Sequence, residues 1–314
     1  MITSVTAFAP ATVANVAVGF DILGFALESV GDKVTLEKNL KSKEVNILSI
    51  KGLEGLPLDP QKNTATIGLL KMIADFELPF GFNVKIEKGI PISSGMGGSA
   101  ASSVAAVTAA NEFLEKPLTR LELLIYALEG EKAASGAIHA DNVAPSLFGG
   151  LTLIRSLEPI DIIEIPTPSL FCVLVHPDIK VETKYSRSVL KPEISMNKFI
   201  QQSTHLASFI SGCFKNDLGL IKRSCIDFII EEQRAHLIPG FYEVKKAALD
   251  NSALACSISG SGPSLFALAT NEKDATKIKD EMIKSFQKNG ISKLDSWVSP
   301  INKKGSFIIE RIQK

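Results

Sequence analysis

Residues Pro91 to Thr108, P-I-S-S-G-M-G-G-S-A-A-S-S-V-A-A-V-T, constrain this chain more than any other stretch. Three glycines and four serines fall within ten residues, and the composition then turns to Ala, Ser and Val. Glycine lets backbone N–H groups face a ligand with no Cβ in the way. The run Ser99–Glu112 holds no Gly or Pro and is rich in Ala, which predicts a helix beginning near Ser99. A glycine turn feeding a helix N-terminus gathers unpaired N–H groups at the positive end of the helix dipole, and that is a seat for phosphate. The same turn also suits the cap of a buried small-residue helix, but it carries more glycine and hydroxyl than capping needs. Two phosphate loops are excluded. No Lys follows Gly97 or Gly98, as a Walker A loop requires. The alternating strand Phe82–Glu87 is followed by seven residues before Gly95, whereas a dinucleotide fingerprint starts directly after its strand.

The bulk properties narrow the class. A chain of 314 residues is long enough for two domains with their own cores. Lys+Arg and Asp+Glu balance at 34 each, so no net field favours nucleic acid or an anionic membrane. No run of 18 apolar residues exists, and no basic segment leads into an apolar core at the N-terminus. Cys172, Cys213, Cys225 and Cys256 are widely spaced with no C-x-x-C pair, and the histidines show no metal-binding spacing. These features together predict a soluble cytoplasmic protein with free thiols.

Hydrophobic alternation predicts strands at 3–8, 32–38 and 45–50, with Pro10–Leu27 a loop lacking any period before Ile22. Asn63–Phe76 reads as a helix with Ile67, Leu70 and Ile73 or Ala74 on its buried face, Asn63 serving as its cap. Strand 82–88 and helix 99–114 flank the glycine loop. Thr119-Arg120-Leu121-Glu122 is a capping box opening a helix through about Ser135, with Leu121, Leu124, Ile125 and Leu128 toward the core. Gly136–Gly150 reads as a turn-rich connector, and Ser156–Ser169, with Pro159, Pro166 and Pro168, as a domain boundary. Beyond it come the buried strand Leu170–Val175, closed by His176, and helices at about 195–214 and 217–231. A strand–glycine turn–strand unit over Ala255–Ala269, a helix Asn271–Asn289 and strands at about 293–299 and 306–311 complete the chain.

The glycine stretch resembles the second motif of the GHMP kinases, P-x-x-x-G-[LM]-G-[SG]-S-A-A. Two more matches stand where that family places them: Pro10-Ala11-Thr12-Val13-Ala14-Asn15-Val16-Ala17-Val18-Gly19-Phe20-Asp21 near the start, and Ser259-Gly260-Ser261-Gly262-Pro263-Ser264 near the end. The first motif's Gly19-Phe20-Asp21 and the segment His139–Pro145 resemble the branch that acts on L-homoserine. The resemblance covers the whole chain. It implies an α+β, two-domain architecture: an N-terminal ATP-binding domain (1–162) like ribosomal protein S5 domain 2, and a ferredoxin-like C-terminal domain (163–314), with the site between them. It also implies ATP-dependent phosphorylation of L-homoserine in threonine synthesis, with Mg²⁺ as cofactor and a homodimeric state.

The family's residue roles carry over as follows. Pro91, Ile92, Ser93, Ser94, Gly95, Met96, Gly97, Gly98, Ser99, Ala100 and Ala101 would seat the ATP phosphates, with Asn63 against the adenine. Of Glu129 and Glu131, the latter falls at the metal position, with the Ser99 hydroxyl as second ligand; one carboxylate and a hydroxyl suit Mg²⁺, which takes oxygen ligands. Asn15, Asp21, His139, Asn142, Thr183, Arg187 and Arg234 would hold the acceptor, arginine forks on its carboxylate and Asp21 on its ammonium. Gly260 and Gly262 would pack beneath the phosphate loop as structural residues. Mevalonate-type members carry a base aspartate where this chain has Asn142, and an amide cannot accept the proton; Asp141 next door is a rival base. Motif one departs from the family at Val13 and Val16-Ala17-Val18, and Gly98 replaces a common Ser. A different alcohol substrate, or a non-catalytic sensor on the same fold, are the alternative readings.

Overall fold

Two β-sheets organise the chain, and the glycine loop lies where they meet. The computed structural model describes residues 2–135 and 139–313, with backbone alone at 133–135. The expected connector Gly136–Gly150 therefore lies partly outside the described residues, at 136–138.

The first sheet has seven strands. β1 (Ile2–Ala14), β2 (Leu23–Asn39), β3 (Val45–Lys51) and β4 (Gly81–Glu87) come from the first third of the chain, then β5 (Leu151–Leu157) and β6 (Ile160–Ile165). The seventh is the last strand of the chain, β11 (Phe307–Gln313), and the main path runs β11-β1-β2-β4-β3, with β5 on β2 and β6 on β5. Along β1, Val5, Ala7 and Ala9 alternate into the core with Thr6 and Phe8 half-buried between them, and from Ala9 to Ala14 the strand is buried on both faces. Helices α1 (Thr64–Asp75), α2 (Gly98–Asn111) and α4 (Ala140–Phe148) pack on the sheet, and α3 (Arg120–Ser135) packs against these three.

The second sheet is β10-β7-β9-β8, built from β7 (Phe171–Pro177), β8 (Ala255–Ile258), β9 (Leu265–Ala269) and β10 (Leu294–Pro300). Helices α9 (Phe241–Asp250) and α10 (Glu272–Lys288) pack on it. Ranked by chain position, its order is 4-1-3-2 and every pair is antiparallel, the ferredoxin-like arrangement that was expected. Between β7 and β8 run α5 (Thr183–Ser188), α6 (Met196–Lys215), α7 (Leu218–Ser224) and α8 (Glu231–Arg234). Phe25 of the first sheet meets Phe266 of the second edge-on at 6.1 Å, so one core spans both sheets.

Several expectations need correction. β1 does not stop before Pro10 but runs to Ala14. Its pairing with β11 ends at Phe8, and Pro10 sits beside a register shift against β2, a place where a missing N–H is tolerated. The connector before Gly150 contains α4, and the proline-rich segment 156–169 contains β6, so position 162 falls inside a strand. The expected helix 217–231 stops as α7 at Ser224; residues 225–230 are not helical, and Asp227 accepts the N–H groups of Ile229, Ile230 and Glu231 ahead of α8.

The buried helix faces also differ from the expected ones. In α3 the capping box forms as read, Thr119 N–H donating to the Glu122 carboxylate at 2.7 Å. Yet Leu121 and Ile125 are exposed, and Leu123, Leu124, Ala127 and Leu128 are buried. In α1 the buried residues are Ala65, Thr66, Gly68, Leu69, Met72 and Ile73, rather than a stripe through Ile67 and Leu70. The cause is close packing of small residues. A Cβ on Gly130 would meet Ser103 Oγ at 2.3 Å and the Thr64 carbonyl at 2.4 Å; one on Gly68 would meet the Tyr126 carbonyl at 2.6 Å. Three helices touch closely at their glycines and alanines, which shifts the buried face so that Leu121 and Ile125 fall outside it while Leu69, Met72, Leu123, Leu124 and Leu128 are buried.

Candidate active site

The glycine loop leaves β4 and enters α2 through three positive-φ residues, Ser93 (φ 52°) and the two glycines Gly95 (φ 74°) and Gly97 (φ 68°). Neither glycine has room for a side chain. A Cβ on Gly95 would lie 2.3 Å from the Ser259 carbonyl, and one on Gly97 would lie 2.3 Å from Thr12 Oγ1 and 2.8 Å from Asn142 Oδ1. Gly97 is the N-cap of α2 and has no side chain to cap it, so the first-turn amides of a 14-residue helix open toward the cavity beside them. That cavity is about 590 Å³ and reaches from Leu53 and Asn63 at one end, along Pro91–Ser99, to Asp21, Arg187 and Arg234 at the other. Ala100 and Ala101, expected among the phosphate-seating residues, lie buried in the core and outside the cavity lining.

The Ser259–Ser264 turn joins this loop to the second sheet. Ser259 Oγ donates to the Gly95 carbonyl at 2.8 Å, Ser264 N–H donates to the Ser94 carbonyl at 3.3 Å, and Gly260 N–H donates to the Ala14 carbonyl at 3.3 Å. Gly260 (φ 55°) and Gly262 (φ 78°) make the turn possible. His176 sits behind it, its Nδ1 3.1 Å from the Ser264 hydroxyl. Burial first of all holds the imidazole below its ordinary pKa, so it is neutral near pH 7.

The segment between β1 and β2 is strained. Asn15, Val16, Ala17 and Asp21 all have positive φ (69°, 46°, 59° and 62°), costly for a β-branched residue above all. Its hydrogen bonds over-determine the shape. Asn15 N–H donates to the Leu23 carbonyl at 2.7 Å, and Gly19 N–H to the Asn15 carbonyl at 2.8 Å. The Asn15 amide bridges outward, accepting from Asp21 N–H at 3.0 Å and donating to the Gly260 carbonyl at 2.9 Å. Asp21 thereby points its carboxylate at Arg187, which grips it with both guanidinium nitrogens at 2.7 and 2.9 Å. This bidentate bond raises the Arg187 pKa further. Arg234 is buried, donating to the carbonyls of Ser186 at 3.0 Å and Gly260 at 3.1 Å. Desolvation, then the neighbouring Arg187, push its pKa down to about 10, so it remains a cation at neutral pH. Thr183 opens α5 with its hydroxyl 3.3 Å from that of Ser261.

Between the phosphate loop and this charged end lie three carboxyl or amide groups. Ser99 Oγ donates to Glu131 Oε2 at 2.6 Å, which brings together the two residues expected to hold a metal. Asp141 is buried in the first turn of α4; burial, with Asp21 and Glu131 adding repulsion, lifts its pKa to about 7. Asn142 Oδ1 accepts from the buried Thr12 hydroxyl at 2.8 Å. His139, just before α4, has its pKa lowered by burial first and by Arg187 next. Asn63, at the far end, caps α1 by accepting from Ala65 N–H at 3.0 Å, and its Nδ2 donates to the Pro57 carbonyl at 2.8 Å.

Sequence reasoning missed Thr12, Lys88 and Asp32. Lys88 and Asp32 form a buried ion pair directly under the start of α2. Lys88 Nζ also donates to the Gly98 carbonyl and the Ser102 hydroxyl, each at 2.7 Å, and Asp32 accepts from Ser102 Oγ at 2.7 Å and Gly89 N–H at 3.0 Å. The network fastens the first turn of the helix to β2 and to the end of β4. A lysine and an aspartate 56 residues apart read as two surface charges, and nothing local announces their pairing. Among the described residues no group of three His, Cys, Asp or Glu side chains gathers as a metal centre, so a metal here would rely on Glu131, Ser99 and substrate oxygens.

The chain is similar to known proteins along nearly its whole length. Residues 63–150 match the model for the GHMP kinases N terminal domain, and residues 209–288 the GHMP kinases C terminal model. The chain is 45% identical over 319 residues to a homoserine kinase of Chlorobium phaeobacteroides (strain BS1), covering 98% of this chain and 99% of that one. It is 44% identical over 304 residues to a homoserine kinase of Xylella fastidiosa (strain M12), covering 96% and 93%. The crystal structure of homoserine kinase from Cytophaga hutchinsonii superposes with a TM-score of 0.95 at 45% identity, covering 98% of each chain.

Proposed function

The chain belongs to the GHMP kinase family, among the homoserine kinases, and from this premise we infer that it phosphorylates L-homoserine with ATP to O-phospho-L-homoserine, a step toward threonine. The observation that carries the residue assignment is the juxtaposition of an uncapped helix N-terminus with Asp21, Arg187 and Arg234 in one cavity. The first seats a polyphosphate. The second group offers opposite charges to the two ends of an amino acid and leaves its side-chain hydroxyl toward the phosphate loop.

In this reading Pro91–Ser99 cradle the ATP phosphates with backbone donors, and the adenine lies toward Asn63. Arg187 and Arg234 take the substrate carboxylate, and Asp21 its ammonium. Asn15 fixes Asp21 through the 3.0 Å bond to its N–H, and His139, Asn142 and Thr183 line the same end. The Ser99 hydroxyl and Glu131 carboxylate form a donor set suited to Mg²⁺, which when bound neutralises charge on the β- and γ-phosphates. The acceptor oxygen attacks the γ-phosphorus, a new O–P bond forms, the bond to the β-γ bridging oxygen breaks and ADP leaves. The hydroxyl proton passes to Asp141, whose pKa of about 7 suits a general base, or directly to an oxygen of the transferred phosphoryl group. Asn142 serves neither route: an amide takes no proton. Orientation and charge neutralisation supply most of the acceleration. The same reading makes the protein a cytoplasmic homodimer. Its four cysteines are unpaired and buried, which fits a reducing compartment.

The test is ADP release from ATP, Mg²⁺ and L-homoserine by the purified protein. Turnover is expected, and Glu131→Gln should lower kcat by about a hundredfold or more, as for loss of one preorganised electrostatic partner. No ADP release with L-homoserine would overturn the reading.

A further inference from the structure

Phe20 lies in the strained segment beside Asp21, lines the cavity, and has been given no role so far. Its ring carries two cations. The guanidinium carbon of Arg187 stands 5.3 Å from the ring centroid and that of Arg234 stands 5.1 Å from it. Two guanidiniums held this close repel each other, and Arg187 indeed ranks second among the causes that disfavour the charge on Arg234. Arg187 has the Asp21 carboxylate as compensation. Arg234 has no direct ion pair among the described residues: Asp21, Asp227 and Asp141 favour its charge from a distance, and its hydrogen bonds go to two backbone carbonyls. A nearly buried cation in that position needs another source of negative potential, and the face of an aromatic ring is one.

The choice of a ring over a carboxylate has a chemical consequence. A carboxylate on Arg234 would occupy the guanidinium N–H groups and compete with an incoming ligand carboxylate for them. The ring quadrupole attracts the cation through its face and consumes no N–H donor. The strained backbone serves the same end, since the turn that aims Asp21 at Arg187 also sets the ring against both arginines. We propose that Phe20 is a positioning residue of the acceptor subsite, holding Arg234 beside the Asp21-paired Arg187 so that the Arg234 N–H groups not taken by the Ser186 and Gly260 carbonyls stay open to a carboxylate. This rests on the reading above, in which the two arginines bind the carboxylate of the acceptor.

The test compares Phe20→Leu with Phe20→Tyr in the full-length protein. Leu keeps bulk and removes the ring face, so KM for L-homoserine should rise about tenfold or more, as expected for losing two cation–π contacts. KM for ATP and kcat should stay within about twofold, and Phe20→Tyr should restore the homoserine KM to within about threefold of the parent. Inhibition by 3-amino-1-propanol, which has the amine and hydroxyl but no carboxylate, should be the same in all three proteins. The proposal is overturned if Leu and Tyr behave alike, or if the carboxylate-free analogue weakens as much as homoserine. Should Phe20→Leu not fold, fluorinated phenylalanines at position 20 keep the shape while weakening the ring's negative face. KM for homoserine should then climb with each added fluorine, and a flat series overturns the proposal. A parent protein inert toward L-homoserine counts against the acceptor assignment instead, whereas an active parent with a flat fluorine series counts against Phe20 alone.

Discussion

Asp141 is a carboxyl that the fold has taken out of water and set among other carboxylates, and its pKa of about 7 follows from both. An unfolded chain ionises this group near pH 3.8, whereas the folded protein holds the proton until about pH 7. Its contribution to stability is thus whole below about pH 4, is lost as pH rises to about 7, and changes no further above that. Asp141→Asn, in metal-free protein, should leave stability nearly unchanged at about pH 3, raise it by about 1–2 kcal/mol near pH 5 and by up to about 4 kcal/mol at pH 8, read from denaturant midpoints. The same variant addresses catalysis. If Asp141 takes the hydroxyl proton, kcat in the parent rises through about pH 7 and the Asn variant loses about a hundredfold or more. A small loss with a flat profile assigns the proton to the phosphoryl oxygen.

The two arginines should not be equal. Arg234 is buried while Arg187 is 42% exposed at its side chain, and water screens the latter. Arg234→Ala should weaken homoserine binding by about 2–5 kcal/mol, the cost of truncating a buried charge partner, and Arg187→Ala by less. Homoserine KM values for the two variants, against unchanged KM for ATP, check the order. Neither arginine was recognisable from its surroundings in sequence. They stand 47 positions apart on α5 and α8, and they come together through the Arg234 bonds to the Ser186 and Gly260 carbonyls and through the ring of Phe20. The motif resemblance supplied them; periodicity could not.

At the level of elements, what the sequence disclosed depended on whether the packing used large or small side chains. The capping box at Thr119 and the amphipathic α10 were legible because a local hydrogen bond or big apolar groups carry them, whereas β1, whose buried residues are mostly alanine, was legible only over 3–8. The faces of α1 and α3 were misjudged because their contact is made by Ala65, Gly68, Ala127 and Gly130, which a search for Leu and Ile passes over. The glycine loop was legible for the opposite reason, since Gly95 and Gly97 stand where no Cβ fits and their spacing shows it directly. Gly130→Ala tests the packing account. An exposed helix would gain about 1 kcal/mol from that change through propensity. Here the added methyl meets Ser103 Oγ and the Thr64 backbone at 2.3 and 2.4 Å, and overpacking should destabilise by about 1–3 kcal/mol. A variant melting above the parent would show that α1, α2 and α3 are not in close contact.

In the whole molecule, the two sheets are not separable in chain order. β11 returns from the end of the chain to pair with β1, Ser299 Oγ accepts the N–H groups of Glu28 and Ser29 at 2.7 and 3.1 Å, and Asn302 N–H donates to the Ala26 carbonyl at 2.9 Å. The cavity inherits this construction: its phosphate end stands on the first sheet's helices, its cationic end on α5 and α8, and the Ser259–Ser264 turn connects the two. The distance from an uncapped helix start to a pair of arginines is therefore a property of the complete chain, and so is the length of acceptor that fits. The most direct measurement is initial-rate ADP release across L-homoserine, L-serine, L-threonine, mevalonate, galactose and shikimate, with ATP and Mg²⁺ at saturation. The account predicts turnover of L-homoserine well above every other alcohol, because only an amino acid of that reach satisfies Asp21, both arginines and the phosphate loop together. Equal or faster turnover of mevalonate, galactose or shikimate, none of which is a zwitterion, would contradict it.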